Sequence, residues 1–316
     1  MNILVTGGAG FIGSHLIDRL LAEGHSVTNL DSFSNFYDRS IKENNIRGHQ
    51  KYDTYRLIEG DIREAAPWEQ LEHENFDQIV HLAAKAGVRP SILDPKAYQR
   101  TNVLGTQNLM HYAQEKGIKH IVYASSSSVY GISPEVPWKE DDTVLRPISI
   151  YAATKITGEQ IGRVYAHLYG IRFVALRFFT VFGPRQRPDL AIHKFTRAIL
   201  NGDPITMYGD GSTERDYTYI DDIVSGIQGA MNYTGSTFEV FNLGNNRTVA
   251  LRDLIAAIER ATGKPANIVQ HPEQPGDVPR TCADEEKSGR LLHYRPQTDL
   301  DTGLQKFVAW YSEVMV

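Results

Sequence analysis

The chain has a single cysteine, Cys282, among its 316 residues, so it carries neither an internal disulfide framework nor a multi-cysteine metal cluster. It also lacks any apolar run approaching about 18 residues, and with it the sequence signature of a membrane-spanning helix. Positive charge is scarce. Thirty-three Lys and Arg stand against 38 Asp and Glu, for a net charge of −5, and no dense basic run marks a nucleic-acid surface. No basic stretch followed by an apolar segment and a cleavage site opens the chain, and Met1-Asn2-Ile3-Leu4-Val5 reads directly as a strand. The expectation is a cytoplasmic protein. Internal repeats, low-complexity tracts and long Pro/Gly/Ser linkers are missing, and the eleven histidines show no metal-ligand spacing.

What is present is ordinary globular material: 41% hydrophobic and 22% charged residues, enough for a sizeable core. The length, about twice that of a typical domain, predicts two lobes. Apolar runs at Asn2–Thr6, Ser26–Leu30, Thr54–Glu59, Gln78–Leu82, His120–Ser125 and Arg172–Phe178 alternate with helical patterns. The clearest of these patterns are Phe11–Ala22, Asn102–Lys116 and Ala152–Tyr169. That alternation predicts an α/β fold, a doubly wound parallel sheet with helices on both faces. After about residue 179 the alternation is lost. Val240–Leu243 then reads as a returning core strand and Leu251–Thr262 as an amphipathic helix. The expected division is 1–178 with about 219–247 as a dinucleotide-binding domain, and about 179–218 with 248–316 as a smaller substrate lobe.

Gly7, Gly10 and Gly13 lie between the first strand and the first helix. Gly7 permits a tight turn, Gly10 lets backbone approach a pyrophosphate, and Gly13 allows close helix–strand packing. The helix N-terminus, at Phe11 and Ile12, offers free N–H groups to an anion. A glycine triplet alone also fits a simple tight loop. Asp31 adds context, ending the second strand 18 residues after Gly13, where a carboxylate accepts from both ribose hydroxyls. It would repel a 2′-phosphate, and no Arg or Lys follows immediately, so NAD is expected over NADP. Asp61-Ile62 is placed to meet the adenine, although a surface turn explains that segment almost as well.

Tyr151 and Lys155 share one helical face. A phenol ionises near pH 10. A neighbouring ammonium and an oxidised nicotinamide both favour the phenolate, making Tyr151 an acid/base candidate. Two residues four apart also arise as a plain surface pair. The pair follows Ser125-Ser126-Ser127-Ser128-Val129-Tyr130-Gly131, with Tyr151 25 residues after Ser126. The serines end an apolar strand, where they present hydroxyls to a substrate oxygen or form a loop or cap.

Together these residues resemble the extended short-chain dehydrogenase/reductases, specifically the NAD-dependent nucleotide-sugar epimerase family, with UDP-glucuronate 4-epimerases the most similar. The resemblance covers essentially the whole chain, in family order: GGAGFIGSH, the Asp31 position, HLAAKAGVR, SSSVYG, YAATK, RFFTVFGPRQRPD and RDYTYIDD. It implies a Rossmann domain, bound NAD and a homodimer built on helices near 102–116 and 152–169. It implies Tyr151 as acid/base, Lys155 as the residue that orients the cofactor ribose and tunes Tyr151, and Ser126 and Ser128 as catalytic hydroxyls. Ser127 lies between them, and Ala83 and Asn102 fall at cofactor-side positions.

The sequence departs from two relatives in the resemblance. Sugar 4,6-dehydratases carry Asp-Glu before Val-Tyr-Gly, and UDP-glucuronate decarboxylases carry Glu there. Here the residues are Ser127 and Ser128, with no carboxylate to perform elimination. UDP-galactose 4-epimerases usually have Asn where Thr180 stands and lack the Arg187-Pro188-Asp189 that follows. Thr180, Arg187 and Arg89 therefore point to a uronate, since guanidinium recognises a carboxylate bidentately. Arg185 and Arg187 read equally as surface partners of carboxylates such as Asp189.

For the nucleotide, the resemblance implies Arg215 at the diphosphate, Ile205 and Met207 at uracil, and Asp277 at the uridine ribose. Packing alone is an alternative for the two apolar residues. Gln274 stands where many relatives have a second phosphate-binding Arg, and Arg280 is a weak substitute. Cys282 reads as a buried bystander. The expected activity is reversible C4 epimerisation of UDP-glucuronate to UDP-galacturonate through a 4-keto intermediate, with UDP-glucose/UDP-galactose epimerisation as the alternative. The expected partner is a UDP-sugar, with no nucleic acid and no membrane.

Overall fold

Near-continuous apolar runs bounded by turn residues become buried parallel strands here. The computed structural model describes residues 1–133, 135–142, 144–272 and 278–314. The chain opens with β1 (Asn2–Thr6), α1 (Phe11–Ala22), β2 (Ser26–Asp31), α2 (Arg39–Ile46), β3 (Tyr55–Glu59) and the short α3 (Ala66–Glu69). Next come β4 (Gln78–His81), the short helices α4 (Val88–Leu93) and α5 (Pro95–Tyr98), a π-helical turn over Gln99–Leu104, and α6 (Gly105–Glu115). A second run follows: β5 (His120–Ser126), a 3-10 turn over Ser127–Tyr130, α7 (Ile150–Tyr169) and β6 (Arg172–Phe178).

The remainder is more broken. It comprises β7 (Thr180–Phe182), α8 (Ala191–Asn201), β8 (Pro204–Tyr208), β9 (Glu214–Tyr219), α9 (Ile220–Met231) and β10 (Phe238–Leu243). It closes with β11 (Thr248–Ala250), α10 (Leu251–Thr262), β12 (Asn267–His271), α11 (Glu286–Leu291) and α12 (Leu300–Val314).

Seven strands form one parallel sheet in the order β10-β6-β5-β4-β1-β2-β3. The strand order reverses between β1 and β4, which opens a crevice at their C-terminal ends, the place where doubly wound sheets bind ligands. Two small sheets flank it, β11-β9-β7 and β12-β8. One apolar cluster runs from Leu16 and Leu20 of α1 through Phe182 and Tyr219 to Leu254, Ile258 and Phe307, so the later elements are packed onto the first domain. A second cluster, with Leu109, Met110 and Tyr123, fills the opposite face of the sheet.

All six expected early strands appear, with ends moved by a residue at most, and β10 begins two residues before the expected Val240. The expected Asn102–Lys116 helix differs more, because residues 102–104 belong to the π-helical turn. There the Asn102 carbonyl accepts the Thr106 hydroxyl at 2.7 Å, and its side-chain amide is drawn away to Lys85 and Thr154. Helix α7 starts two residues before Ala152 because Ser149 caps it through the Ala152 N–H at 3.1 Å. It stops at Gly170, in the left-handed conformation.

Candidate active site

The floor of the crevice is built from backbone. Gly7 has φ +75°, and a Cβ there would stand 2.7 Å from the Ala83 nitrogen. A Cβ on Gly13 would stand 2.4 Å from the Gly7 carbonyl oxygen. Gly10 is the N-cap of α1; no side chain caps that helix and no acidic residue lies in its first turn. Its opening turn, Phe11 to Gly13, lines a cleft of about 500 Å³. Asp31 is buried at the cleft wall, and its two oxygens accept from Ala9 N (3.0 Å) and Phe33 N (2.9 Å). One lone pair on each oxygen is left by those bonds. Burial pushes the Asp31 carboxyl above its usual value, opposed by Lys42 and the two N–H donors. An uncapped helix end, glycines with no room for a side chain and a carboxylate at the end of β2 fit a dinucleotide.

Asp61 also lines the cleft, but Arg63 holds it, through Nε at 2.9 Å and Nη2 at 2.7 Å. Ile62 sits mainly in the core under Gly105. Ala83 closes the glycine turn, its N–H donating to Thr6 Oγ1 at 3.2 Å. Asn102, expected on the cofactor side, is buried, and its side chain engages Lys85 N, Lys85 O and Thr154 Oγ1. It is a latch between the β4–α4 loop and α7. Sequence reasoning missed Lys42, Phe36 and Tyr37, all on the cleft wall after Asp31. Lys42 carried a signal, as a lysine on a buried helix face, whereas the two aromatics lie in a loop with no periodicity to flag them.

Tyr151 and Lys155 face the cleft from the first two turns of α7, and Ser126 meets them from the end of β5. Ser126 Oγ donates to Ser128 Oγ at 3.1 Å and accepts from Ser128 N at 3.2 Å. Lys155 Nζ donates to the Ala124 carbonyl at 2.7 Å and stands 5.8 Å from the Tyr151 ring centre. Burial raises the Tyr151 phenol, while the Ser126 hydroxyl and the Arg187 guanidinium oppose that rise. Ser126 and Arg187 are thus the side chains that favour the phenolate, beside the tuning expected of Lys155. Burial brings Lys155 itself down to about 7, with Glu159 opposing.

The far end of the cleft is built from side chains. Thr180 begins β7, and Arg187 sits in the loop beyond it, its side chain only 18% exposed. Asp189 holds Arg187 bidentately, through Nε and Nη2 at 2.9 Å each, and the Phe36 ring centre is 5.4 Å from its guanidinium carbon. The alternative reading of Arg187 is thus half right: the pair with Asp189 forms, but inside the cleft. Arg185 turns away. It adopts φ +62° and pairs with Asp18 of α1 at 2.6 Å, beside a His15–Pro184 carbonyl bond of 2.9 Å. The loop carrying Arg187 is thereby pinned to the dinucleotide helix.

Arg89, Ser127, Ser128, Thr180 and Arg215 surround an adjoining hollow of about 210 Å³. Arg89 lies over the Tyr208 ring at 5.4 Å. Arg215 Nη1 donates to the Glu214 carbonyl, and the next residue, Asp216, anchors β9 by accepting from Asn245 N, Asn246 N and Ala283 N. Ile205 is buried in the main core and Met207 packs against the same cluster, which fits the packing alternative. Arg280 is taken by Glu214 at 2.9 Å. Cys282 is buried, as expected of a bystander. Asp277 and Gln274 lie outside the described residues.

The chain is similar over nearly its whole length to known proteins. The chain is 42% identical over 330 residues to UDP-glucuronate 4-epimerase 2 of Arabidopsis thaliana, spanning 98% of this chain and 76% of that one. The crystal structure of UDP-glucuronic acid 4-epimerase from Bacillus cereus, in complex with UDP-glucuronic acid and NAD, superposes with a TM-score of 0.93. It is 35% identical and covers 99% of this chain and 100% of that one. UDP-glucose 4-epimerase from Thermotoga maritima, solved with UDP-glucose, gives 0.91 at 31% identity and covers 100% of both chains. The model of the NAD dependent epimerase/dehydratase family matches residues 3–244, and with the glycine turn, Asp31 and the Tyr151–Lys155 pair in one crevice, the chain belongs to that family.

Proposed function

We propose that the protein interconverts UDP-glucuronate and UDP-galacturonate by inverting C4, with NAD as its resident cofactor. The observation that carries the choice of sugar is Arg187: a guanidinium within the catalytic cleft, close enough to Tyr151 to act on its phenol. Asp189 engages Nε and Nη2, and Nη1 takes no part in that pair. A sugar carboxylate meets an arginine already held in one rotamer, which lowers the ordering cost of binding. Thr180 and Ser127 add hydroxyls for the same group, and Arg89 lies near them.

Gly7, Gly10, Gly13, the amides of Phe11 and Ile12, and Asp31 would hold NAD. The chemistry it supplies when bound is reversible acceptance of a hydride from C4. Tyr151 takes the C4 hydroxyl proton and later returns it, with Ser126 and Ser128 steadying the same oxygen. Lys155 lends positive charge at the cofactor side. A 4-keto uronate is a β-keto acid, and it loses carbon dioxide if the carboxylate bond aligns with the carbonyl π system. Arg187 and Thr180 keep it out of that alignment. Neither Ser127 nor Ser128 supplies a carboxylate for elimination.

Arg215 anchors the diphosphate in this reading, and Met207 and Asp277 stay assigned to the nucleotide only through the family resemblance. Residues 1–178 with about 219–247 bind NAD, and the rest binds the UDP-sugar. Exposed apolar side chains support a homodimer: Leu93 on α4 is 87% exposed, and Leu104 on the π-helical turn and Val164 and Leu168 on α7 are also exposed. The apolar face of α6 is used in the core.

The test is incubation of the purified protein with UDP-glucuronate and, separately, UDP-glucose, without added NAD, followed by product separation. UDP-galacturonate is the expected product. Conversion of UDP-glucose alone would install the second reading, UDP-glucose 4-epimerase, whose Thermotoga maritima structure superposes slightly less closely, at 0.91 against 0.93.

A further inference from the structure

Helix α7 carries one more ionisable side chain on its cleft-side face, and the chemistry above does not use it. Glu159 follows Lys155 by four residues and is 1% exposed. Its oxygens meet Arg177 Nε at 3.0 Å and Nη2 at 2.9 Å, and Oε1 also accepts from Ser125 Oγ at 2.5 Å. Arg177 is equally buried on β6, with its guanidinium carbon 4.7 Å from the Tyr130 ring centre. One ion pair therefore ties α7, β5 and β6 together, and it bonds to the residue just before Ser126. A buried pair of this kind is often replaceable by apolar residues without loss of stability.

We propose that Glu159, held in place by Arg177 and Ser125, is a positioning residue that keeps the Lys155 ammonium charged in the catalytic site. The groups facing Lys155 are few. Tyr151 and Glu159 lie on its own helix, and Tyr123 lies on β5, its ring centre 5.1 Å from Nζ. His81 acts from β4 and is held neutral, its imidazole brought down to about 3 by burial and then by Lys155. The Ala124 carbonyl accepts the ammonium on the strand side. Among the described residues, Glu159 is the carboxylate whose charge acts on Lys155. Burial brings the amine to about 7, and the Glu159 charge resists that fall. Arg177 acts in the opposite sense, because its cation partly cancels the carboxylate's field.

This rests on Lys155 belonging to the reacting pair, but its test needs no turnover and no substrate, so it can fail or hold independently of the sugar assignment. The rate of Lys155 acylation by acetic anhydride, followed by peptide mass spectrometry on the full chain across pH, reports the free-amine fraction. Four proteins are compared: wild type, E159Q, R177M and the double variant E159Q/R177M. The expected midpoints fall in the order R177M, wild type, double variant, E159Q. E159Q, which leaves two buried cations, drops by about one pH unit or more. The alkaline limb of kcat in the holoenzyme, where the ammonium is lost, moves in the same order. A purely structural pair would lower amplitudes and leave midpoints in place. Equal midpoints, or a rise in E159Q, would overturn the proposal. Should either single variant fail to fold, the charge-free double variant decides: a midpoint below wild type supports the proposal, and one equal to it overturns it.

Discussion

The two ends of the cleft are made in different ways. At the end proposed for the dinucleotide the wall is main-chain amides, a helix terminus and glycines whose missing Cβ atoms are the feature that matters. The end proposed for the sugar is built from long side chains that hold one another, Arg187 with Asp189 and Arg89 over Tyr208, with Arg185 and Asp18 bracing the loop behind. The first kind of site tolerates almost no change of residue at its few key positions. The second kind can be retuned one side chain at a time, as expected where related enzymes share a cofactor and differ in substrate.

The contrast can be broken experimentally. Tyr151 stands where the ends meet, and Y151F is expected to lower kcat by about 10²- to 10⁴-fold with bound NAD retained. Loss of NAD together with activity would put Tyr151 in the cofactor site instead. R187A should raise KM for UDP-glucuronate about 10- to 100-fold, the loss of one charge-assisted contact, and leave UDP-glucose nearly unaffected. A decarboxylated 4-keto-pentose should also appear among its products. Equal effects on both sugars would remove the uronate assignment. At the other end, G13A places a Cβ against the Gly7 carbonyl, and is expected to cost about 1–3 kcal/mol by overpacking and to strip NAD from the purified protein. An unchanged Tm with full NAD content would show that the floor is more adaptable than its geometry implies. The smallest effect belongs to R185A. Asp18 is 42% exposed, so the pair is worth only about 0.2–1 kcal/mol, and KM for UDP-glucuronate should rise roughly two- to fivefold through the loosened loop. Steady-state kinetics on both sugars would show it.

The same contrast explains what could be read in the sequence. The strands were legible because burial on both faces demands unbroken apolar runs, and β5 is buried at all seven positions. Gly7, Gly13 and Asp31 were legible because sterics and position leave few other roles for them. Tyr151, Lys155 and the serines converged as their spacing implied. Partnerships were harder. Nothing in Arg185-Gln186-Arg187 says which arginine faces the cleft; the left-handed conformation at Arg185 decides it by turning that side chain toward Asp18. The core packing of Ile205 was harder to read, because a short strand with alternating apolar residues has two faces and the sequence does not say which the core takes. The partners of Asn102 were equally hidden: a polar residue can spend its side chain holding backbone.

The returning strand β10 has a consequence for how the molecule is made. Strand β6 ends at Phe178, yet its outer partner begins at Phe238, about sixty residues later. At ribosomal speeds of about 5–20 residues per second, the edge of β6 is exposed for roughly 3–12 s before β10 can emerge to cover it. Over that interval an apolar strand with unpaired amides and carbonyls is open to pairing with another chain. The intervening segment, residues 179–237, emerges before the sheet can be closed behind it, so longer insertions between β6 and β10 would lengthen the window in which the nascent chain is vulnerable.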